Sequence, residues 1–401
     1  MRRARHIFAA LLLAIGASDL IQAAPVQLGD GEVNRRLEEY RGELDAFRRE
    51  HPATRALPGV DFFLFGMGSR PKLLYKSGTL RHAVTGEVIR SWPVRSAVIL
   101  PPDYAVFLTA TNGQRICVIE DERGVWIKGD GPAEFVPGSQ SPIRLPEFTR
   151  HRYPRILRVL HHELLVNVIE GKPVPNFFVY PKPWYRDGAM MAMCFKETGN
   201  LDVIKEWVLR LSEPYDRNNA GETEADNLGQ ALYLLSLFSD RHHPLVATIQ
   251  RELARFEVQG PEGKYIQGRS DFAEHPVYQT RWAKFGLAAL NLPDPYVVPQ
   301  LPDSYAALCW WADKDKYVPG KDAHDGGPYP YLGWACDHFH GAKSASLSER
   351  DYPLTWEQRP AKPNMRECES FPTSIPSKAW FAPTPGMRPR PFLYLLTALK
   401  N

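Results

Sequence analysis

The stretch that most constrains the fold reads Lys182-Pro183-Trp184-Tyr185-Arg186-Asp187-Gly188-Ala189-Met190, and it runs directly into an apolar segment with helical spacing. Its two aromatic rings can stack on the C–H face of a sugar ring. The donors of Arg186 and the acceptors of Asp187 can hold two hydroxyl groups in a set geometry. We therefore interpret Trp184, Tyr185, Arg186 and Asp187 as candidate substrate-binding residues. The alternative is structural: Asp187 caps the helix and both aromatic rings belong to the core.

The composition excludes one broad class of function. The 401 residues carry 49 basic and 46 acidic side chains, a net charge of only +3. Phosphate contacts need clustered positive charge, so we expect no nucleic-acid partner. The five cysteines are scattered without the spacing of a zinc site, so one disulfide is conceivable and no disulfide framework is implied.

The N-terminus has the pattern of an export signal. Three arginines (Arg2, Arg3 and Arg5) precede an apolar run from Ile7 to Ala17, and Ala23 offers a small residue for cleavage before Ala24. The run is too short to span a bilayer, so we predict a signal peptide over residues 1–23 and no stable membrane span. The mature protein is then expected to be secreted or periplasmic.

Short apolar runs follow a polar helical lead-in at residues 24–56. They are rich in aromatic and β-branched residues and are separated by Gly, Pro and Asp, which is typical of strands. The sequence therefore predicts an antiparallel β domain over residues 57–150. The runs are Asp61–Phe65, Ala97–Leu100, Tyr104–Leu108, Ile116–Ile119 and Val125–Ile127.

The spacing of apolar residues becomes helical after Pro154. Leu228, Ala231, Leu232 and Leu235 follow the i, i+3, i+4, i+7 pattern. Paired helices joined by long polar loops indicate an α/α toroid over residues 151–401, with an active site built by the loops at one end. The predicted fold class is thus mainly α with an N-terminal antiparallel β domain. Further helices are predicted at about 155–169, 188–198, 243–256, 278–290, 303–314 and 392–400.

One segment interrupts this pattern. Residues 360–391 contain eight prolines in 32 positions, between two stretches with good helical character. Read in a frame displaced by one base, the segment can lose most of its prolines and continue a helix into Phe392. We hypothesise two compensating single-base changes, near Arg359 and Pro391, with an irregular and incomplete toroid as the result. A native Pro-rich loop is the alternative.

An acidic loop precedes the strongest amphipathic helix. Glu222, Glu224 and Asp226 stand at i, i+2 and i+4, so mutual repulsion and partial burial should raise at least one carboxyl pKa. A raised pKa suits a general acid working near neutral pH. Asp226 is placed to cap the helix or bind substrate, so Glu222 and Glu224 are the catalytic candidates. Capping alone is the alternative.

Later polar clusters offer further candidates. Glu349 lies in a loop before a Pro-Leu-Thr-Trp helix start, where it could act as a base toward water. His338 and His340 could line a sugar cleft. No metal is expected, because their spacing matches neither a zinc site nor a calcium loop. A further set of possible cleft-lining residues is Arg269, Asp271, His275, Tyr278 and Gln279.

Two of these motifs resemble a known family. Trp184-Tyr185-Arg186-Asp187-Gly188-Ala189 resembles the Trp-x-Arg-Asp-x-Ala element of six-hairpin glycosidases, the glucoamylase-like (α/α)6 toroids, where its Arg and Asp bind the sugar at the cleaved bond. Pro353-Leu354-Thr355-Trp356 resembles the segment that opens a late helix in that family, with the catalytic base shortly upstream, at the position of Glu349. The family's paired-Glu general-acid motif has no clear match in this sequence. The assignment of Glu222 or Glu224 as the general acid therefore depends on their position in the loop alone.

The expected function is that of an exported glycoside hydrolase that uses two carboxylates on an oligo- or polysaccharide. We expect a monomer without a cofactor. Two alternatives stay open. One is a polysaccharide lyase on the same toroid, with His338, Tyr278 and Asn219 as candidates; the other is a non-catalytic glycan-binding protein.

Overall fold

The computed structural model describes residues 29–50, 62–175, 182–303 and 305–306. Over these ranges the protein is a mixed α/β structure with seven α-helices and several antiparallel sheets, the largest with five strands. The predicted signal peptide, the segment at 360–391 and the helix at 392–400 lie outside the described residues.

The first helix, α1 (Asp30–Glu50), has a narrow apolar face. Val33, Tyr40 and Phe47 are buried and recur every seven positions, so they lie along one side of the helix. Phe47 meets Tyr153 edge to face, with ring centroids 5.2 Å apart. None of the helices described, α1 included, is both long and apolar enough to cross a membrane.

A four-stranded antiparallel sheet follows α1, in the order β1-β2-β3-β4. Its strands are β1 (Phe62–Phe65), β2 (Leu73–Lys76), β3 (Thr79–His82) and β4 (Val88–Ser91). All four residues of β1 are buried, because the sheet is covered on both faces. Phe62 and Leu64 pack toward the helices, and Phe63 and Phe65 pack toward a second sheet.

The second sheet is a five-stranded antiparallel meander. Its strands are β5 (Val94–Leu100), β6 (Ala105–Ala110), β7 (Arg115–Glu120), β8 (Val125–Lys128) and β9 (Glu134–Phe135), paired in chain order. Alternate residues such as Val106, Leu108 and Val118 face β1 and β2 and form a separate apolar core. The five apolar runs named in the sequence coincide with β1 and with β5 to β8.

Helices dominate the chain after Pro154. They are α2 (Pro154–Val166), α3 (Tyr185–Glu197), α4 (Lys205–Leu209), α5 (Asp226–Ser236), α6 (Pro244–Leu253) and α7 (Pro276–Ala289). Every residue of α5 from Asp226 to Leu235 is buried, because α5 lies between α3 and α7. Short 3-10 turns occur at Pro101–Asp103, Leu201–Ile204 and Ala254–Phe256.

Two glycines allow α5 and α7 to approach each other. A Cβ atom added to Gly229 would lie 2.2 Å from the Trp282 carbonyl, and one added to Gly286 would lie 2.4 Å from the Gly229 carbonyl oxygen. Neither position can carry a side chain without moving a helix. This contact fixes the first turn of α5, which begins at Asp226, against the middle of α7.

Small hairpins join several of these helices. β10 (Val168–Ile169) pairs with β11 (Lys172–Pro173), β12 (Glu257–Gln259) with β13 (Lys264–Ile266), and β14 (Arg269–Ser270) with β15 (Ala273–Glu274). The last two hairpins occupy the region between α6 and α7 that the sequence analysis treated as a loop.

The prediction of a mainly α-helical fold with an α/α toroid was wrong. The described residues form a mixed α/β structure with seven α-helices, one of which precedes the sheets, and not a ring of twelve. Helical periodicity correctly indicated segments such as α2, α3 and α5, but it reports which face of a helix is buried and not which element buries it. Here the four-stranded sheet and α7 supply that cover.

Candidate functional site

The motif around Arg186 forms the first turn of α3, and its N-terminus is capped from a distant loop. The main-chain N–H of Tyr185 donates to Asp216 Oδ2 over 2.7 Å. This bond satisfies one of the free donors at the helix start. Asp187 therefore does not cap the helix, contrary to the structural alternative raised from the sequence. Asp216 is partly buried, and the loss of water around its carboxyl group raises its pKa above the ordinary value.

Asp187 is buried completely. Neither carboxyl oxygen has a hydrogen-bond partner among the described residues, and the nearest cation is Arg186, with Nε 3.9 Å from Oδ2. Burial raises the pKa of Asp187 to about 7, although the Arg186 charge opposes that effect. A buried carboxyl group without a hydrogen-bond partner is costly to ionise, which is why its pKa is raised.

Arg186 forms an ion pair with Asp271, which lies 85 positions further along the chain. Its Nη1 is 2.6 Å from Asp271 Oδ2, and its Nη2 is 3.5 Å from Oδ1. The guanidinium also lies over the ring of Trp184, with Cζ 5.6 Å from the centroid. The guanidinium of Arg186 is thus held by a carboxylate and by an aromatic ring, with 11% of the side chain exposed.

Tyr185 points away from this ion pair. Its hydroxyl donates to the main-chain oxygen of Glu213 over 2.7 Å. The ring lines a cavity of about 320 Å³, together with Trp207 and Lys172. Of the four residues predicted from the motif, Trp184, Arg186 and Asp187 therefore lie together, whereas Tyr185 is buried in the hydrophobic core, as the structural alternative expected.

The acidic loop separates its three carboxyl groups into three environments. Glu222 is exposed, Glu224 is 7% exposed and Asp226 is 1% exposed. Burial raises the pKa of Glu224 to about 7, and the negative charge of Asp226 adds to the effect. The raised pKa agrees with the expectation that at least one carboxyl group of the trio would have one. It makes Glu224, and not Glu222, the candidate general acid.

Two donors hold Glu224 through the same oxygen. Asn219 Nδ2 lies 3.0 Å from Glu224 Oε1, and the main-chain N–H of Asp271 donates to that oxygen as well. Both described hydrogen bonds to this carboxyl group go to Oε1. The same Asn219 nitrogen lies 3.3 Å from Asp271 Oδ1, which makes the two carboxyl groups neighbours.

Asp226 has internal partners. Its Oδ2 accepts from Gln230 Nε2 over 2.7 Å and from the Tyr278 hydroxyl over 3.0 Å, and its Oδ1 accepts from Ser270. These bonds tie α5 to α7 and to the hairpin of β14 and β15. Asp226 is only 1% exposed, whereas 24% of the Asp271 side chain is exposed, so Asp226 has the environment of a support for Glu224 and not that of a residue in contact with substrate.

From the sequence, Asp271 was predicted only as one of several possible cleft-lining residues, and not as a partner of Arg186 or Glu224. It lies in the two-residue turn between β14 and β15 and is paired with Arg186 and with the Tyr305 hydroxyl, 2.9 Å away. Burial raises the pKa of Asp271, but the Arg186 charge and these hydrogen bonds outweigh it and lower the pKa below the ordinary value. The turn of the hairpin is a local feature that could have identified position 271 in the sequence. The ion pair with Arg186 joins residues 85 positions apart, so it leaves no signal in the local sequence.

A histidine–aspartate pair supports this turn. His275 Nδ1 lies 3.0 Å from Asp303 Oδ1, and the His275 ring stacks on Tyr305 with centroids 3.9 Å apart. Asp303 also accepts from the main-chain N–H groups of Tyr278 and Tyr305, at 2.8 and 2.7 Å. The Tyr305 hydroxyl is thereby fixed on Asp271.

We call Asp187, Asp216, Glu224, Asp226 and Asp271 the carboxyl cluster. Each of its charges influences at least one other member or Arg186. The predicted residues His338, His340 and Glu349 lie outside the described residues. Within the described ranges, no three His, Cys, Asp or Glu side chains are arranged to hold a metal ion.

Comparison of the chain with protein-family models, with curated proteins and with solved structures gave no match.

Proposed function

We propose that the chain is an exported glycoside hydrolase in which Glu224 protonates the departing glycosidic oxygen while the ionised Asp271 faces the sugar that is cleaved and stabilises its positive charge. A water molecule then forms the new bond to the anomeric carbon, and the proton that it loses restores the acid form of Glu224. The observation that carries this proposal is the direct link between the two carboxyl groups. One amide nitrogen, that of Asn219, contacts both, and the Asp271 main chain donates to Glu224. Export rests on the N-terminal sequence alone.

The electrostatics of the pair support the assignment of roles. The pKa of Glu224 is raised to about 7 and that of Asp271 is lowered. A carboxyl pair whose pKa values are driven apart provides one group that holds a proton near neutral pH and one that stays ionised. Cleavage of a glycosidic bond needs both, since the transition state has a protonated leaving oxygen and a positively charged sugar.

The remaining residues suit substrate positioning. Arg186 holds Asp271 and lies on the Trp184 ring, so its donors and that aromatic ring are presented together. Within the described residues, the five carboxyl groups of the carboxyl cluster outnumber the Arg186 guanidinium that pairs with them. Such a surplus of acidic groups favours a neutral sugar over an anionic uronate, because a uronate would meet like charge.

Release of reducing sugar from a panel of neutral oligosaccharides tests the proposal. We expect turnover by the wild-type chain and a loss of about 10²–10⁴-fold in Glu224→Gln. Glu222→Gln is the matched control, since Glu222 is exposed two positions away, and it should retain wild-type activity. Full activity in Glu224→Gln, or no turnover of any substrate by folded wild-type protein, would remove the hydrolase proposal.

A further inference from the structure

The turn that carries Asp271 has an unusual second residue. Ser270 pairs with Ala273, so Asp271 and Phe272 alone connect the strands, and their φ angles are +50° and +71°. Two-residue hairpin turns with positive φ at both positions strongly favour Asn-Gly or Asp-Gly. A bulky side chain in the left-handed region is a true outlier, because its Cβ crowds the backbone.

Phe272 is also the most exposed large hydrophobic residue of the described chain, with 56% of its surface accessible. Burial therefore does not compensate the backbone strain. The turn is nevertheless held in place, since Arg269 Nη2 donates to the Phe272 carbonyl over 2.9 Å. Strained residues that persist without a packing reason are typical of binding sites.

The position of Phe272 relative to the carboxyl pair indicates its use. Its chain neighbour Asp271 turns inward to Arg186 and Glu224, whereas the Phe272 ring points to solvent. We infer that Phe272 is a stacking platform for a second sugar ring, next to the ring held at Glu224 and Asp271. This rests on the proposed function and specifies its substrate as a neutral oligosaccharide, of which at least two rings are bound.

The surroundings favour a sugar over an apolar protein surface. The residues beside Phe272 include exposed Arg269 and Glu274, so charged groups stand at the edge of the ring. A protein interface needs a contiguous apolar patch, whereas a sugar ring needs one aromatic face together with polar groups at its edge.

Two substitutions separate this role from a structural one. Phe272→Gly creates the favoured Asp-Gly turn, so the melting temperature should equal or exceed that of the wild type. Phe272→Trp keeps an aromatic face. We expect Phe272→Gly to lower kcat/KM on the preferred hexasaccharide about tenfold, mainly through KM, while Phe272→Trp stays close to wild type. Cleavage of the matching nitrophenyl monosaccharide should not change in either variant.

The substrates are maltohexaose, cellohexaose, xylohexaose and chitohexaose, and binding of each to wild type and Phe272→Gly is also measured by calorimetry. Equal loss on hexasaccharide and monosaccharide, or no loss at all, would overturn the platform. If the wild type cleaves none of them, the proposed function fails on its own. Weaker binding of a hexasaccharide by Phe272→Gly than by the wild type would then still support the stacking platform. Equal binding by the two proteins, or no binding by either, would overturn it.

Discussion

The main-chain N–H of Asp271 donates a hydrogen bond to the carboxyl group of Glu224. This bond joins the hairpin of β14 and β15 to the loop before α5, and each segment contributes one carboxyl group. The hairpin in turn is fixed by Arg186 at 2.6 Å and by Tyr305 at 2.9 Å from Asp271 Oδ2. The two linked groups nevertheless have opposite pKa shifts, because burial and the Asp226 charge raise the pKa of Glu224, whereas the Arg186 charge and hydrogen bonds lower that of Asp271.

The pH dependence of kcat/KM should follow the protonation of Glu224. Its pKa is raised to about 7, so the proton needed by the leaving oxygen is lost as the pH rises through that value. The measurement is kcat/KM of the wild-type chain on its best oligosaccharide across the pH range. A rate that increases steadily above about pH 7 would contradict the role of Glu224 as an acid.

Arg186→Lys should damage the ionised member of the pair. Lysine cannot reproduce the two contacts of the guanidinium with Asp271, so the pKa of Asp271 should rise. The acid limb of the kcat/KM profile should then move to higher pH, and stability should fall by about 1–3 kcal/mol. Arg241→Lys, at an exposed position, is the control. An acid limb that stays in place would show that Arg186 does not hold Asp271 in its ionised form.

Asp187 should make the native state less stable as the pH rises. Its pKa in the folded protein is about 7, above the value of the unfolded chain, so its contribution is fully present below about pH 4 and is lost as the pH rises through about 7. The full effect is on the order of 4 kcal/mol. Asp187→Asn should flatten this part of the curve, as measured by urea unfolding at several pH values.

The control for that measurement is Asp130→Asn, because Asp130 is exposed. It should leave the pH dependence of unfolding unchanged. An Asp187→Asn curve with the wild-type slope would mean that Asp187 is already ionised and partnered in the folded protein.

Gly229→Ala should separate α5 from α7. The added Cβ would lie 2.2 Å from the Trp282 carbonyl, so the helices must move apart at a cost of about 1–3 kcal/mol or more. Gly42→Ala is the matched control, since a Cβ atom there meets nothing within 4 Å on the exposed side of α1. It should stabilise the protein by about 0.5–1 kcal/mol. Thermal melting distinguishes the two, and equal effects would contradict the close approach of the helices.

The positions of many elements could be predicted from the sequence. The apolar runs matched β1 and β5 to β8, and the helical spacing matched α2, α3 and α5. Short strands with polar residues, such as β3 (Thr79–His82), and the hairpins of β12 to β15 were missed, because two to four residues carry too little periodicity. The toroid was wrong for a different reason, since the pattern of a buried helix is the same whether a sheet or another helix covers it.

By itself the sequence determined which segments are buried and which loop carries crowded acidic groups, because apolar periodicity and charge spacing are local properties. It thereby pointed to Arg186 and to the loop of Glu224. Only the tertiary structure decided that Asp271 is the partner of both, that Asp216 caps α3, and that Asp187 is sealed from solvent. Ion pairing and carboxyl pKa values depend on distances through space and on the loss of water, and both arise when segments far apart in the chain are packed together.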